Sequence, residues 1–367
     1  MEITILRTNT GNFGQIGSYN VQEVGLANAL NKLGHKTSVI YLNKHVHNIE
    51  VDPIYSFVYY LPHKTFLMHG IFDVNYLNNF TPNVIIYFSD NQLWAKNVIY
   101  WCNKNNVKCV HYMGGVLSDN PHWLNQLYTK LILWRNKKAY NYSINVAKTE
   151  DAHKKMLNNN VPFCKTIPVG LDNSILNSSF NLDSKIRHEL GFADDEVVLL
   201  FVGRLIDYKK PLFACDILNT MLSRGIKAKL VIIGDGRLKN ELINYIQSSF
   251  LIQNVLFLER IAYNQMYKYM VSCNCFINLS DREIFGMAIL EAMYYGLPVV
   301  AHVAPGPNTI IQHEETGYLC ESYNIDEWYD LIYTAVNNRE IGANSRRHVE
   351  ANYMWDAIAT RFIELVS

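Results

Sequence analysis

The sequence predicts two consecutive α/β domains, each built on a doubly wound parallel sheet. Short, continuously apolar runs alternate with segments of helical period along the whole chain, and such runs indicate parallel strands covered by helices on both faces. The length of 367 residues fits two domains of ordinary size. A polar stretch at 171–196, rich in Asn, Ser and Asp, separates the two series of elements and is predicted to hold the hinge.

The first series begins with a predicted strand at 3–6. An amphipathic helix follows at 19–33, because Val24, Ala27 and Leu30 recur at three-residue steps along one face. Gly34 ends this helix, since glycine is the usual residue just past a helix end. The same alternation predicts strands at 37–42, 84–88, 108–111 and 144–147, and helices at 93–105 and 123–140.

The second series begins near residue 197. Its predicted strands are 197–202, 229–233, 255–258, 275–278 and 298–301, and its predicted helices are 211–224, 237–250, 264–271, 286–295 and 326–338. Ligands of open parallel sheets bind beyond the carboxyl ends of the strands, so we expect the functional site there, in a cleft between the domains.

Charge excludes one class of function and suggests an anionic partner. The chain holds 33 basic and 33 acidic side chains, which argues against a general nucleic-acid binder. Residues 1–190 hold 18 basic and 12 acidic side chains and carry +6, whereas residues 191–367 hold 15 and 21 and carry −6. One face of the protein is therefore expected to meet something anionic.

Cysteine usage and hydropathy predict a cytoplasmic protein. The seven cysteines show no CxxC pair and no zinc-ligand spacing, and we interpret them as reduced core residues. The N-terminal stretch is too short and polar for a signal peptide, and the apolar runs fall far short of the ~20 residues of a membrane span. We expect a soluble protein, or a peripheral one on the inner face of the membrane.

The segment 281–301, DREIFGMAILEAMYYGLPVVA, is the most informative about function. Gly286, flanked by Phe285 and Met287, opens a predicted helix whose free N–H groups and dipole suit a diphosphate. Glu283 and Glu291 lie eight positions apart and can hold two polyhydroxylated rings, one on each side of that phosphate. If the two glutamates stood in isolation, the alternative would be that Glu283 is an acidic residue of the first turn, favoured by the helix dipole, and that Glu291 is a solvated helix residue.

This segment resembles the retaining glycosyltransferases of family 4, which have the GT-B fold. The resemblance extends over nearly the whole chain. It is carried further by FVGRLIDYK at 201–209, IIGDG at 232–236, KTIPVGLD at 165–172, the spacing from Gly17 through Leu26 and Ala27 to Gly34 and His35, and Trp355 with Asp356.

The resemblance implies two Rossmann-like domains with an interdomain cleft. The acceptor-binding domain would be 1–175 and the donor-binding domain 190–349, with a last helix in 350–367 packing back on the first domain. Glu283 would hold the donor sugar and Glu291 the ribose. The diphosphate would be held by Arg204, Lys209 and the Phe285-Gly286-Met287 amides.

Arg204 and Lys209 explain why no metal ion is expected. The family carries these two cations on a strand-loop, although a basic residue after a strand is ordinarily solvated surface. Two fixed cations can neutralise the charge of a departing diphosphate, which a divalent metal does in other sugar transferases. The chain has no D-x-D triplet and no clustered ligand set, so we expect no metal and no cofactor besides the nucleotide-sugar co-substrate.

Several positions depart from the family pattern. Gly17 is followed by Ser18 where the family has a second donor-binding glycine, and Ser18 can cap the next helix and leave its amides for a phosphate. Lys210 and Val169 replace a more usual Gly and Asn. Glu259 stands where a glycine often follows the strand near the nucleotide base, so the identity of the base stays open.

His111 is the predicted catalytic residue of the first domain. It ends the predicted strand 108–111, and the family places a histidine at this strand end, facing the donor sugar. The alternative is a structural histidine hydrogen-bonded to backbone. His69 lies at a similar strand end and is the competing residue, with His111 favoured.

Residues 130–138, KLILWRNKK, are basic and interleaved with apolar side chains. Such a helix can lie on an anionic membrane surface, in keeping with the positive first half of the chain. The alternative is an ordinary amphipathic helix whose basic side is solvated.

The observations and the resemblance together predict a metal-independent glycosyltransferase of hexosyltransferase type, and the resemblance implies that it is a retaining one. It would move a sugar from a nucleotide diphosphate sugar, with a UDP-sugar favoured over a GDP-sugar, to a hydroxyl of a glycan, lipid-linked or protein acceptor. One alternative is a sugar-nucleotide epimerase of the same fold, for which Asp90 and Asp119 are the nearby candidate acids. The other is a non-catalytic nucleotide-sugar binding protein. A dinucleotide dehydrogenase is disfavoured because no G-x-G-x-x-G follows the first strand.

Overall fold

The computed structural model describes residues 1–9, 22–66, 69–90, 92–115, 123–162, 164–172, 176, 184–338 and 340–367. The chain forms two compact units. Unit 1 comprises Met1–Asp172 together with Met354–Ser367, and unit 2 comprises Asn173–Tyr353. The C-terminal segment therefore belongs with the first part of the chain.

In its described residues, unit 1 contains an eight-stranded sheet in which one edge pair is antiparallel and every other pair is parallel. The strands of unit 1 are β1 (Glu2–Arg7), β2 (Lys36–Leu42), β3 (Glu50–Val51), β4 (Val58–Leu61), β5 (Lys64–Phe66), β6 (His69–Ile71), β7 (Val84–Phe88), β8 (Lys108–Met113), β9 (Ile144–Ala147) and β10 (Cys164–Thr166). The order in the sheet is β10-β9-β8-β7-β1-β2-β4-β3, and β5 and β6 form a separate antiparallel pair.

Helices connect these strands. Their bounds are α1 (Gln22–Lys32), α2 (Ala95–Lys104), α3 (Trp123–Asn136) and α4 (Glu150–Asn158), with 3₁₀ helices at Val74–Phe80 and Ala139–Tyr142. Thr149 shows how sequence sets such a boundary: its side-chain oxygen accepts a hydrogen bond from the Ala152 amide at 3.2 Å and caps α4. The predicted single helix at 123–140 is wrong in extent, because α3 ends at Asn136 and a 3₁₀ turn follows.

Unit 2 contains a six-stranded sheet, parallel throughout. Its strands are β11 (Val197–Val202), β12 (Ala228–Ile233), β13 (Val255–Leu258), β14 (Cys275–Asn278), β15 (Val299–His302) and β16 (Tyr318–Cys320). The order is β13-β12-β11-β14-β15-β16. The chain therefore builds outward from β11 in one direction and then restarts at β14 in the other, which makes the β11–β14 border the switch point of the sheet.

The helices of unit 2 alternate with its strands. Their bounds are α5 (Ser184–Glu189), α6 (Pro211–Ser223), α7 (Lys239–Ser248), α8 (Tyr263–Ser272), α9 (Met287–Tyr294), α10 (Pro305–Ile310), α11 (Ile325–Asn337) and α12 (Ile341–Asn352), with a 3₁₀ turn at Asp207–Lys209. The last helix of the chain, α13 (Trp355–Val366), belongs to unit 1. The prediction of two doubly wound parallel-sheet domains is confirmed.

The helix α13 is fixed to unit 1 by a buried tryptophan. Trp355 is buried against two glycines: an added Cβ would lie 2.5 Å from the indole ring at Gly25 in α1, and 2.5 Å from it at Gly170. The backbone joins the contact, because the Trp355 amide donates to the Leu171 carbonyl at 3.0 Å. Small residues at 25 and 170 are therefore what allows the indole to pack this closely.

Candidate active site

The candidate site of unit 2 is built from the loops that follow β11 and β14. These two strands are neighbours, with Leu199 paired to Cys275, so their carboxyl ends lie side by side at the switch point. The β11 loop carries Arg204 and Lys209, and the β14 loop carries Glu283 and Gly286. The structure thus brings together the four residues that the motifs predicted for a sugar diphosphate.

Lys209 and Glu283 form an ion pair across the switch point. Their side chains are only 16% and 18% exposed, so the pair is largely shielded from water while keeping one open side. Asn278, the last residue of β14, donates from its amide to Glu283 at 3.4 Å and accepts from the Ser280 amide at 3.1 Å. The carboxylate of Glu283 is therefore held in place by two neighbours.

Arg204 and Lys209 share a third neighbour, Tyr208. The Arg204 guanidinium donates to the Tyr208 hydroxyl at 2.5 Å, and the Lys209 ammonium lies 5.7 Å from the centroid of the Tyr208 ring. One aromatic side chain thus contacts both cations of the loop after β11.

Gly286 is the N-cap of α9 and has a left-handed backbone with φ of +96°. A Cβ there would lie 2.9 Å from Ile289 Cδ1, so both the dihedral and the space favour glycine. The first intrahelical hydrogen bonds to Gly286 come from the Ile289 and Leu290 amides, so the amide of Met287 belongs to the turn that a helix leaves without intrahelical partners. Phe285 is buried beneath this turn.

Glu291 is 1% exposed, on the second turn of α9. The Tyr263 hydroxyl, from the first residue of α8, donates to its carboxylate at 3.2 Å. The alternative that Glu291 is a solvated helix residue is therefore wrong. A buried carboxylate needs hydrogen-bond donors, and the Tyr263 hydroxyl supplies one.

Two further glycines let the loops approach one another. A Cβ at Gly234 would lie 1.9 Å from the Gly203 carbonyl, next to Arg204, and a Cβ at Gly306 would lie 2.2 Å from the Phe285 carbonyl. The Gly306 amide also donates to the Glu283 carbonyl at 2.8 Å. These contacts set the position of both loops that carry the site.

The prediction that His111 ends its strand is wrong. The strand β8 continues to Met113, so His111 lies inside it and is fully buried. Its ring stacks on Tyr87 at a centroid distance of 5.2 Å, and its Nε2 shares a hydrogen bond of 2.8 Å with the Ser89 hydroxyl. Burial lowers the pKa of His111 to about 4. The structure therefore places His111 inside β8, in the core of unit 1, and its catalytic role stays a prediction.

His69, the competing histidine, lies at the start of β6 and is also buried. Both of its ring nitrogens are within hydrogen-bond distance of a side chain. The Nδ1 atom of His69 lies 3.0 Å from the Gln92 side-chain oxygen, and its Nε2 atom lies 2.8 Å from the Tyr128 hydroxyl. Burial lowers its pKa. The backbone of His69 forms an antiparallel bridge with that of Asn9, which lies in the loop after β1.

The carboxyl edge of the unit 1 sheet carries other charged groups. Asp90, which follows β7, accepts a hydrogen bond from the Gly114 amide at 2.7 Å. Lys148, which follows β9, places its ammonium 5.1 Å from the ring centroid of Tyr112. The predicted donor-binding residues Gly17 and Ser18 lie outside the described residues, and so does Asp119.

The sequence reasoning missed Tyr208, Asn278 and Tyr263, the polar neighbours of the site. Asn278 carried a usable signal, because it is a polar residue at the end of the otherwise apolar strand β14. Tyr208 and Tyr263 carried none, since the chain holds 24 tyrosines and most have no special neighbours in sequence. Within the described residues, no three His, Cys, Asp or Glu side chains converge as a metal site would require.

Comparison with known proteins gives one family. Residues 183–353 match the family model described as "Glycosyl transferases group 1". An uncharacterized glycosyltransferase of Methanocaldococcus jannaschii is 31% identical over 194 residues, 52% of this chain and 50% of that protein. A GDP-mannose-dependent monoacylated alpha-(1-6)-phosphatidylinositol monomannoside mannosyltransferase of Corynebacterium glutamicum is 27% identical over 218 residues, 56% of each chain.

The chain spans about half the length of the curated relatives it matches. Among solved structures, HepE of Anabaena in complex with UDP and glucose aligns over 100% of this chain and 99% of that one, with a TM-score of 0.73 and 19% identity. This likeness concerns the fold, and it confirms the GT-B prediction.

Proposed function

Residues 183–353 belong to the glycosyl transferases group 1 family, and from this premise we propose that the protein is a retaining glycosyltransferase. It transfers a sugar from a nucleotide diphosphate sugar to a hydroxyl of a glycan or glycolipid. The observation that carries the proposal is the ion pair of Lys209 and Glu283 beside the N-cap Gly286 of α9. Cations, a carboxylate and a helix N-terminus meet there at the switch point of a parallel sheet.

The diphosphate is bound by positive charge from three sources. Arg204 and Lys209 come from the loop after β11, and the amides of the first turn of α9 come from the segment after β14. When the bond between the anomeric carbon and the phosphate oxygen breaks, the leaving diphosphate gains negative charge that these groups stabilise. We propose that they do so without a metal ion.

The two carboxylates divide the sugars between them. Glu283 is partly open and binds hydroxyls of the donor sugar, whereas the buried Glu291, with Tyr263, binds hydroxyls of the ribose. Lys209 contacts Glu283 and would contact phosphate as well once the donor binds. Glu283 thus orients a cation in addition to the sugar.

The transfer step needs no protein nucleophile in this proposal. The bond from the anomeric carbon to the phosphate breaks, the bond to the acceptor oxygen forms on the same face, and the acceptor proton passes to the leaving diphosphate. We favour a UDP-sugar over a GDP-sugar. HepE of Anabaena was solved with UDP, while the Corynebacterium relative is named for GDP-mannose, so both bases occur among similar proteins.

Calorimetric titration of UDP and GDP into single variants tests the assignment. Glu291→Ala is expected to weaken nucleotide binding by about tenfold or more, because each lost hydrogen bond to a charged group is worth about 1.5–3 kcal/mol. Glu283→Gln should leave nucleotide binding nearly intact and lower turnover. The control is Glu241→Ala, which removes an exposed carboxylate on α7 and should change neither.

Product analysis separates the proposal from its alternatives. A transferase moves the sugar to an acceptor, or slowly to water, and releases the nucleoside diphosphate. An epimerase returns an isomeric nucleotide sugar without that release, and a binding protein returns the donor unchanged. Either of the last two results, or equal loss of nucleotide affinity in Glu283→Gln and Glu291→Ala, would contradict the assignment.

A further inference from the structure

The helix α3 exposes a stripe of large apolar side chains. Leu124, Leu127, Leu131 and Trp134 are 51%, 59%, 57% and 76% exposed. Their spacing of three, four and three residues places them within an arc of about 80° on one side of the helix, since each residue turns ~100°. A continuous exposed stripe of this kind indicates an interaction surface, whereas single exposed apolar residues do not.

The opposite side of α3 is packed on unit 1, which fixes the direction of the stripe. Ile132, Leu133 and Asn136 are buried. Arg135 turns toward the protein as well, because its Nε donates to the Leu93 carbonyl at 3.3 Å and its guanidinium lies 4.9 Å from the ring centroid of Trp94. Arg135 therefore does not belong to the exposed charge of segment 130–138.

The surroundings of the stripe are positively charged. Lys130 lies beside it on the helix, and Lys137 and Lys138 follow its C-terminal end; all three are exposed. The sequence has no Asp or Glu from residue 120 through residue 149. Nothing acidic in this stretch offsets the lysines, so the stripe is complementary to a surface that is apolar within and anionic at its rim.

We propose that α3 docks on an anionic lipid membrane and lies parallel to its plane. The leucines and Trp134 enter the boundary of headgroups and acyl chains, and the lysines contact lipid phosphates. Within the part of the chain that the structure describes, no helix has the length and apolar content to cross a bilayer. The stripe belongs to unit 1 and uses none of the candidate nucleotide-sugar residues, which belong to unit 2, so the inference stands whether or not the protein transfers a sugar.

Each component of the stripe has a separate expected effect. Attraction of one lysine to an anionic surface is worth about 1 kcal/mol, or roughly fivefold in affinity, so three lysines contribute about a hundredfold. Salt should weaken the contribution of the lysines, because it screens charge. Loss of the apolar side chains should weaken binding at every salt concentration.

The test is cosedimentation of the full chain, without nucleotide sugar, with vesicles of equal parts phosphatidylglycerol and phosphatidylcholine. Wild type should bind and should release partly in high salt. Lys130→Gln with Lys137→Gln and Lys138→Gln should lower affinity about a hundredfold, and Leu127→Gln with Leu131→Gln should abolish binding. The matched controls are Lys44→Gln with Lys64→Gln and Lys104→Gln, and Phe250→Gln with Ile252→Gln, which change exposed residues elsewhere.

Three results would overturn the proposal. The first is absence of wild-type binding to these vesicles. The second is equal loss in the control variants, which would indicate unspecific adsorption. The third is a dimer in solution that Leu127→Gln with Leu131→Gln converts to monomer without any vesicle binding, since the stripe would then be a protein interface.

Circular dichroism of each variant verifies that it is folded. In wild type, quenching of Trp134 fluorescence by brominated lipid, lost in Trp134→Phe, adds a direct readout of insertion.

Discussion

Gly306 shapes the candidate site although it has no side chain. Its Cα faces the Phe285 carbonyl so closely that a methyl group would lie 2.2 Å from the oxygen. We expect Gly306→Ala to displace the loop of Glu283 and Phe285, to weaken nucleotide binding, and to lower turnover about a hundredfold, as a misplacement of about 1 Å can do. Calorimetry with UDP and steady-state kinetics measure the two effects.

Gly342→Ala is the matched control for this prediction. A Cβ at Gly342 would lie 2.1 Å from the Gly296 carbonyl, between α12 and the end of α9, so it introduces a similar overlap away from the loop. Both variants should melt at lower temperature, but Gly342→Ala should keep its nucleotide affinity. If the two variants lose affinity equally, the effect of Gly306 is general destabilisation and not loop position.

His111 should make the protein less stable in acid. Its pKa is about 4 in the folded protein and about 6.5 in an unfolded chain, so the unfolded state takes up the proton first as pH falls. The free energy of unfolding should have its full value above pH 6.5. It should decrease by about 3 kcal/mol as the pH falls from 6.5 to 4. Urea unfolding across this window, in wild type and in His111→Phe, measures the slope.

The readout for His111 is the slope with pH and not the stability at one pH, because His111→Phe also removes the hydrogen bond to Ser89. His45→Gln, at an exposed histidine, controls for the loss of one imidazole. An unchanged slope in His111→Phe would mean that the ring takes up its proton without unfolding. The same variant should retain turnover if His111 is structural.

At the scale of elements, Trp355 is one of several buried side chains that attach α13 to unit 1, together with Ile358 and Phe362. Trp355 is 2% exposed and packs on Gly25 of α1 and on Gly170. Trp355→Ala should destabilise unit 1 by about 3–5 kcal/mol through the cavity that it leaves. Hydrogen exchange of the amides in α1 should become faster, which locates the effect in this contact.

Trp134→Ala provides the comparison for Trp355→Ala. Trp134 is 76% exposed, so its removal should change the free energy of unfolding by no more than about 0.5 kcal/mol. Equal destabilisation by the two substitutions would show that α13 is held by something other than the packing of Trp355.

Most interior strands of the two sheets could be predicted from the sequence, for physical reasons, but β4 between β2 and β3 was missed. Apolar runs such as VVLLFV of β11 must be buried on both faces, and residues that follow such strands necessarily meet at one edge. The position of His111 within its strand was missed because the strand continues through Tyr112 and Met113, which are buried by side chains from distant segments, including Phe362 of α13. Edge strands such as β3 and β16 are too short to show a pattern.

At the scale of the whole molecule, the charge at the diphosphate comes from the chain itself in our proposal. Turnover should therefore survive excess EDTA, because Arg204 and Lys209 remain in place. Arg204→Ala and Lys209→Ala should each lower turnover by about 10²–10³, as the loss of one group that stabilises a transition-state charge does. Initial rates with and without chelator, in wild type and in both variants, measure this.

A different result would reverse that assignment. Loss of most activity in EDTA, restored by Mg²⁺ or Mn²⁺, would place a metal ion at the diphosphate. Lys227→Ala provides the control, since it removes an exposed cation that is paired with Asp195 and precedes β12, and it should leave turnover near wild type.

The division of unit 1 into two stretches of chain, residues 1–172 and 354–367, has a consequence for biosynthesis. Translation completes the whole of unit 2 before it reaches Trp355, so the surface of α1 that receives the indole stays uncovered while about half of the protein is made. Unit 2 can fold on the ribosome as a contiguous piece, but unit 1 can close only after the last helix has left the exit tunnel. The nascent chain thus exposes an apolar seam around Gly25 and Gly170 for much of its synthesis, and this seam is where a chaperone or an aggregating neighbour would first bind.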